Sequence, residues 1–177
     1  ILTIGSPGGN FENLTGSLGA FDIINNKVLI GNLTLRIISD LSEDGYSALN
    51  QWLEDGTGNY TLTIESNGQT ERVISGSVAN GGMIRLSGAD RVTIDGRSGG
   101  SGKYLRFRNN NTAAPVFTFL NDATLNTIRD CFIEGTNTIA AGTLNAGLIN
   151  FGISNGSVGN DNNLISNNVI RDRSDMA

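Results

Sequence analysis

The stretch Asn126-Thr127-Ile128-Arg129-Asp130-Cys131-Phe132-Ile133 is matched without a gap by Asn163-Leu164-Ile165-Ser166-Asn167-Asn168-Val169-Ile170. Both copies open on Asn, carry Ile at the third and eighth positions, and pass through an acid or Asn at the fifth. A shorter copy, Val92-Thr93-Ile94-Asp95, superposes on the first four residues. The shared Ile falls at 94, 128 and 165, intervals of 34 and 37, within the range of periods that mark solenoids, propellers and arrays. The approach repeats as well: Asn121-Asp122 precedes one copy and Gly159-Asn160-Asp161-Asn162 the other. The unequal intervals imply units that share strands and differ in loop length.

Working outward, short apolar packets occupy residues 33–37, 60–65, 72–77, 83–86, 91–95, 104–108, 116–120, 126–133, 147–153 and 163–170, each bounded by turn residues. At 33–37 the alternation is clear, with Leu33, Leu35 and Ile37 separated by Thr34 and Arg36. Composition agrees. The 177 residues include 24 Gly and 23 Asn but only two Pro, and a chain so rich in residues that favour turns and caps over helix interiors is no helical bundle. One domain of this length buries enough surface to hold a core without staples.

Two segments carry helical spacing. Phe11, Leu14, Leu18, Phe21 and Ile24 recur every three or four residues, which predicts an amphipathic helix over 10–26 with Asn10 as its N-cap. Ser42-Glu43-Asp44 ahead of Tyr46, Leu49 and Trp52 predicts a helical turn or two within 39–59, with Trp52 plugging the core.

Charge narrows the function classes. Twelve basic against 17 acidic residues leave −5, and the basic residues are scattered, so no phosphate-binding surface and no nucleic-acid partner is expected. There is no histidine, which removes zinc hydrolysis of the usual kind and His-based triads. The lone Cys131 cannot form an intrachain disulfide, and between Asp130 and Phe132-Ile133, with no His to activate it, it reads as a buried thiol rather than a nucleophile. No run reaches the ~18 apolar residues of a membrane span, and Ile1-Leu2-Thr3-Ile4 is not a signal peptide, so no membrane insertion is expected.

A parallel β-helix accounts for these features together. Each coil supplies short strands that pair with the coils above and below, and Asn or Gly at the corners takes the left-handed conformation that tight bends require. The predicted helix then caps the first coil, with Phe11, Leu14, Leu18 and Phe21 over its open apolar end. An antiparallel sandwich is the rival, kept open by the hairpin signals Asn67-Gly68 and Asn155-Gly156.

Three stretches resemble the right-handed parallel β-helix domains of the pectin lyase-like class found in large secreted or surface-attached bacterial proteins. They are Leu86-Ser87-Gly88-Ala89-Asp90-Arg91-Val92-Thr93-Ile94-Asp95-Gly96, residues 121–128 and residues 159–168. The resemblance implies an all-β solenoid over 1–177, with coils over 33–171, in a secreted or cell-surface protein. It implies little about chemistry, since such coils serve lyases, hydrolases, adhesins and stalks alike.

The candidate functional residues are therefore few. The sequence after the last repeat, 171–177, shows nothing like a second cap, so either the chain is the N-terminal part of a longer solenoid, the favoured reading, or Asn163, Ile165, Asn167 and Val169 lie on an open edge where a second copy or a partner docks. Asp95, Asp130 and Asp172, with Arg97, Arg129, Arg171 and Arg173 nearby, are candidates for holding sugar carboxylates or a cation if successive coils align them. The plainer reading makes them polar positions beside strands. Gly159-Asn160-Asp161-Asn162-Asn163 is oxygen-rich but lacks the ligand pattern of known calcium loops and reads as a corner. Sequons at Asn13, Asn32, Asn59, Asn110 and Asn155 arise by chance in such a composition. Tyr46, Trp52, Tyr60 and Tyr104 could stack on sugar rings or fill the core. The expectation is a non-enzymatic structural or interaction module without a cofactor, calcium being the weak exception, and a carbohydrate-binding or polysaccharide-cleaving domain is the alternative.

Overall fold

In the computed structural model, which describes residues 1–173, the chain winds as a parallel β-solenoid. The last four residues of the run 171–177 lie outside the described residues. The first coil holds Leu2–Ile4 (β1), the helix Ala20–Asn25 (α1) and Val28–Leu29 (β2). The second holds Leu33–Ile37 (β3), Leu41–Glu43 (β4), Leu49–Asn50 (β5) and Leu53–Glu54 (β6). The third holds Leu62–Ser66 (β7), Arg72–Gly76 (β8) and Ile84–Ser87 (β9), and the fourth Val92–Asp95 (β10), Leu105–Asn109 (β11) and Phe117–Leu120 (β12). Thr127–Arg129 (β13), Phe132–Gly135 (β14) and Ile149–Phe151 (β15) follow, then Leu164–Ser166 (β16) and Val169–Asp172 (β17).

Stacking the coils makes three faces. The first is β1-β3-β7-β10-β13-β16, the second β4-β8-β11-β14-β17 and the third β5-β9-β12-β15, with β2 and β6 as a separate pair. Every named strand pair is parallel, which removes the antiparallel sandwich. Asn67-Gly68 turns the corner between β7 and β8 rather than closing a hairpin, and Asn155-Gly156 lies in the loop after β15.

Strand alternation sends every second side chain inward, and the register stacks those side chains into ladders. On the first face the inward ladder is Leu35, Ile64, Ile94, Ile128, Ile165, so the three repeat isoleucines do stand one above another. On the second it is Leu41, Ile74, Phe107, Ile133, Ile170, and on the third Leu49, Leu86, Phe119, Phe151. The interior rungs of all three are buried.

The corners are made by residues in the left-handed region. The stretch 126–133, continuous as a pattern, is broken into β13 and β14 by Asp130 at φ 54°, and 163–170 is broken into β16 and β17 by Asn167 at φ 52°. Asp and Asn tolerate this conformation because their short polar side chains bond locally. One coil back, Gly96 has no room for a side chain, since a Cβ there would come within 1.9 Å of the Asp130 carbonyl oxygen.

Asparagine also ties coil to coil. Asn126 Oδ1 accepts from Val92 N at 2.9 Å while its Nδ2 donates to Ala89 O at 2.9 Å, both in the preceding coil. Asn163 repeats the arrangement on Asn126 N and Ala123 O, and Asn168 on Cys131 N and Ile128 O. Asn109, fully buried, accepts from Val78 N and donates to the carbonyls of Val78 and Pro115.

The N-terminal segment departs from the reading of its spacing. The helix covers only Ala20–Asn25, not 10–26. Asn13 Oδ1 instead accepts from Gly16 N, and Leu18 takes φ 62°, a conformation that cannot continue a helix. As a result Leu18 is 72% exposed, whereas Leu14 and Phe21 are buried and Phe11 is partly buried beside Ile4. The segment is fixed by Glu43, whose carboxylate accepts from Leu14 N, Thr15 N and Thr15 Oγ1 at 2.9, 2.7 and 2.6 Å. Burial pushes the Glu43 carboxyl above its ordinary value, and these three donors offset only part of that. Residues 39–59 form the short strands β4, β5 and β6 rather than helical turns, because β4 and β5 pair with β8 and β9 of the next coil and β6 with β2 of the first. Trp52 is buried and donates to Glu54 Oε1 at 3.0 Å.

Candidate functional site

The three singled-out acids do not form one row. Asp95 is on the outer side of the first face, register partner of Arg129, and Asp130 sits at the next corner. They share Arg97, whose Nη2 lies 2.9 Å from Asp95 Oδ2 and whose Nε lies 3.5 Å from Asp130 Oδ2. Arg129 adds a second pair to Asp95 at 2.8 Å, and Lys103 a second to Asp130 at 3.4 Å. Asp172 is on the second face, opposite Gly135, and is exposed. Burial alone would raise the Asp95 carboxyl, but hydrogen bonds from Arg97 and Arg129 outweigh it and hold the group below its ordinary value. The corner is thus a pair of carboxylates already matched by cations, and among the described residues no three His, Cys, Asp or Glu come together to hold a metal.

A larger charged cluster stands on the second face, and sequence reasoning missed its centre. Glu134 has a fully buried side chain and receives three arginines. Arg108 Nη2 reaches Oε2 at 2.7 Å, Arg171 Nη2 reaches Oε1 at 2.7 Å, and Arg106 Nη1 also bonds Oε1. Glu71 binds the other side of Arg106 at 2.9 Å, and the ring of Phe132 lies under the guanidinium groups of Arg106 and Arg171 at 4.5 and 5.7 Å. Burial favours the protonated form of Glu134, but the hydrogen bonds of Arg108 and Arg171 and the charge of Arg106 prevail, and the group is held below its ordinary value. The only signal available was the spacing of these residues at coil intervals, which means nothing until the coil lengths are known. Each charge is satisfied within the cluster, so the arrangement clamps three successive rungs rather than presenting a reactive group.

Cys131 is fully buried, and desolvation, reinforced by the charges of Asp95 and Asp130, pushes its thiol far above its ordinary value. No described helix is long and apolar enough to cross a membrane.

The end of the solenoid formed by β15, β16 and β17 is the remaining feature. Each is the last strand of its face among the described residues, with one edge unpaired. The last rungs of the inward ladders surface here: Ile170 and Phe151 are each 50% exposed, and Ile165 is only partly buried. Phe151 stacks on Phe119 at 4.8 Å with its other side uncovered by any further rung. Of the predicted edge residues, Ile165 faces inward at the end of the first ladder and Val169 lies outward over Phe132. Asn163 and Asn167 instead reach back to the preceding coil, to Asn126 N and Ala123 O and to Asp130.

Comparison with known proteins adds no relative: no family, no curated protein and no solved structure matches the chain. The fold defines its class, a parallel β-solenoid.

Proposed function

We propose that this chain is a non-enzymatic structural module, a rigid solenoid of the right-handed, pectin lyase-like kind, that pairs through its β15–β16–β17 end with adjacent solenoid coils or with a second copy. The observation that carries this reading is the coincidence, at that one end, of three strand edges unpaired among the described residues with the exposed rungs Phe151 and Ile170 and the partly buried Ile165. An unpaired edge is a template for further β pairing, and the apolar rungs would add burial to those backbone bonds. At the other end, residues 5–26 fold back with Leu14, Phe21 and Ile24 buried, helical only over Ala20–Asn25 where the spacing suggests a longer helical cap. A secreted or surface-attached bacterial setting fits the composition and the resemblance of residues 86–96. Asp95 on the first face and Asp130 at its corner are both held by cations, which favours this reading over polysaccharide cleavage.

Light scattering across a concentration series, followed by electron microscopy, tests it. Growth in mass to a closed dimer or to rods is expected, and Phe151→Lys or Leu164→Lys should return the protein to monomer while leaving its circular dichroism unchanged. A mass independent of concentration would overturn self-association.

A further inference from the structure

The outer side of the third face carries a cleft of about 270 Å³ that none of the features above uses. Its floor is one outward ladder: Arg85 on β9, Thr118 on β12 and Asn150 on β15 are register partners on adjacent strands, about 4.8 Å apart. Leu120, Leu144 and Ile153 also line it, and Leu144 and Ile153 are 60% and 56% exposed.

All three polar side chains of this floor are incompletely bonded. Arg85 Nε, Thr118 Oγ1 and Asn150 Nδ2 are each buried without a hydrogen-bond partner, and Thr118 as a residue is only 5% exposed. Buried polar atoms are nearly always partnered, so three orphans on consecutive rungs need an explanation. Their chemistry supplies one. The Arg and Asn atoms can only donate and the hydroxyl can donate, so what the site lacks is an acceptor. It also lacks a negative charge. Arg85 Nη2 donates to the carbonyls of Gly45 and Tyr46 at 2.6 and 3.0 Å, and among the described residues no carboxylate pairs with it, although the chain is acidic overall. Burial without that counter-charge pulls the guanidinium below its ordinary value.

We propose that this cleft is a binding site for a small organic carboxylate. The three donors are covered in the free protein, and as their side chains turn into the cleft the carboxylate oxygens accept from Thr118 and Arg85 on adjacent rungs, with the apolar body against Leu144 and Ile153. An inorganic anion would leave those walls uncovered, and a neutral apolar molecule would leave the donors unpaired.

The test is titration of the protein with hexanoate, with its neutral isostere hexanamide and with sulfate, followed by ¹⁵N NMR. Hexanoate at millimolar concentration should shift the backbone amides of Arg85, Thr118 and Asn150 and the Arg85 Nε–H, and hexanamide and sulfate should each bind roughly tenfold more weakly. Arg85→Gln should abolish the preference for the acid over the amide. Thr118→Val keeps the shape and removes the hydroxyl, so it should weaken hexanoate several-fold and leave hexanamide unchanged, and it decides the matter if the Arg85 variant does not fold. Equal binding of acid and amide, equal binding of sulfate, shifts confined to another surface, or no binding of hexanoate would each overturn the proposal.

Discussion

Arg171 stands opposite Glu134 in the register of the last two rungs of the second face, and its Nη2 reaches Oε1 at 2.7 Å. With Arg106 and Arg108 this makes one buried carboxylate the joint of three coils. Glu134→Gln leaves the guanidinium groups of Arg108 and Arg171 without their anion and Arg106 with Glu71 alone. The arginines keep side-chain exposures of 14%, 25% and 48%, so water compensates part of the loss. The expected cost is about 2–3 kcal/mol, below that of a fully buried pair. Urea midpoints measure it, with Glu65→Gln as the control, since that carboxylate pairs with Arg36 alone at a half-exposed site where less than about 1 kcal/mol is at stake.

The pH dependence of the same pair of proteins has a definite sign. Glu134 titrates below its ordinary 4.5 in the folded state, so the stability its pairing supplies is fully present above 4.5 and is lost as pH falls through the depressed value. The stability gap between wild type and Glu134→Gln should hold steady above pH 4.5 and narrow below it. Urea unfolding at a series of pH values reads this directly, and a gap that widens on acidification would contradict it.

Asn109 is the most completely bonded buried polar side chain of the coil junctions, accepting from Val78 N at 3.0 Å and donating to Val78 O and Pro115 O at 2.9 Å. Asn109→Ala leaves the N–H and the carbonyl of Val78 buried without partners, while Pro115 O keeps the N–H of Met83 at 3.2 Å, and the cost is about 2–4 kcal/mol in total. Calorimetric melting should show the drop, whereas Asn67→Ala, at an exposed corner, should shift the melting temperature little.

Position along a ladder sets the cost of trimming it. Ile128 is fully buried between Ile94 and Ile165, and Ile128→Ala should cost about 3–4 kcal/mol through lost burial and a cavity. Ile165 is partly buried at the end of the same ladder, and Ile165→Ala should cost about 1–2 kcal/mol in the monomer. Chemical unfolding at low protein concentration compares the two, and equal costs would mean that the end rung is covered.

Self-similarity made the coils legible because stacking like on like demands it: Ile94, Ile128 and Ile165 recur in sequence since each must fill the same place one rung on. The corners were legible in composition but not in position. The break at Asp130 inside an unbroken β pattern depends on a single dihedral angle that periodicity does not encode. The helix over 10–26 failed for a related reason: its apolar spacing is real, but the bond from Gly16 to Asn13 and the left-handed Leu18 divert the backbone, and Glu43, 28 and 29 residues on, fixes the result.

By itself the sequence determined the solenoid class, the recurrence of Ile94, Ile128 and Ile165 and the buried state of Cys131, because hydrophobic periodicity and a repeat of strands are local properties of the chain. Only the tertiary structure decided which charges meet. Coil lengths differ by several residues, so the partners of Glu134 lie 26, 28 and 37 positions away. The Arg85–Thr118–Asn150 ladder is equally invisible in one dimension. Outward side chains are free of the packing constraint that makes core positions repeat, and register alone brings them together.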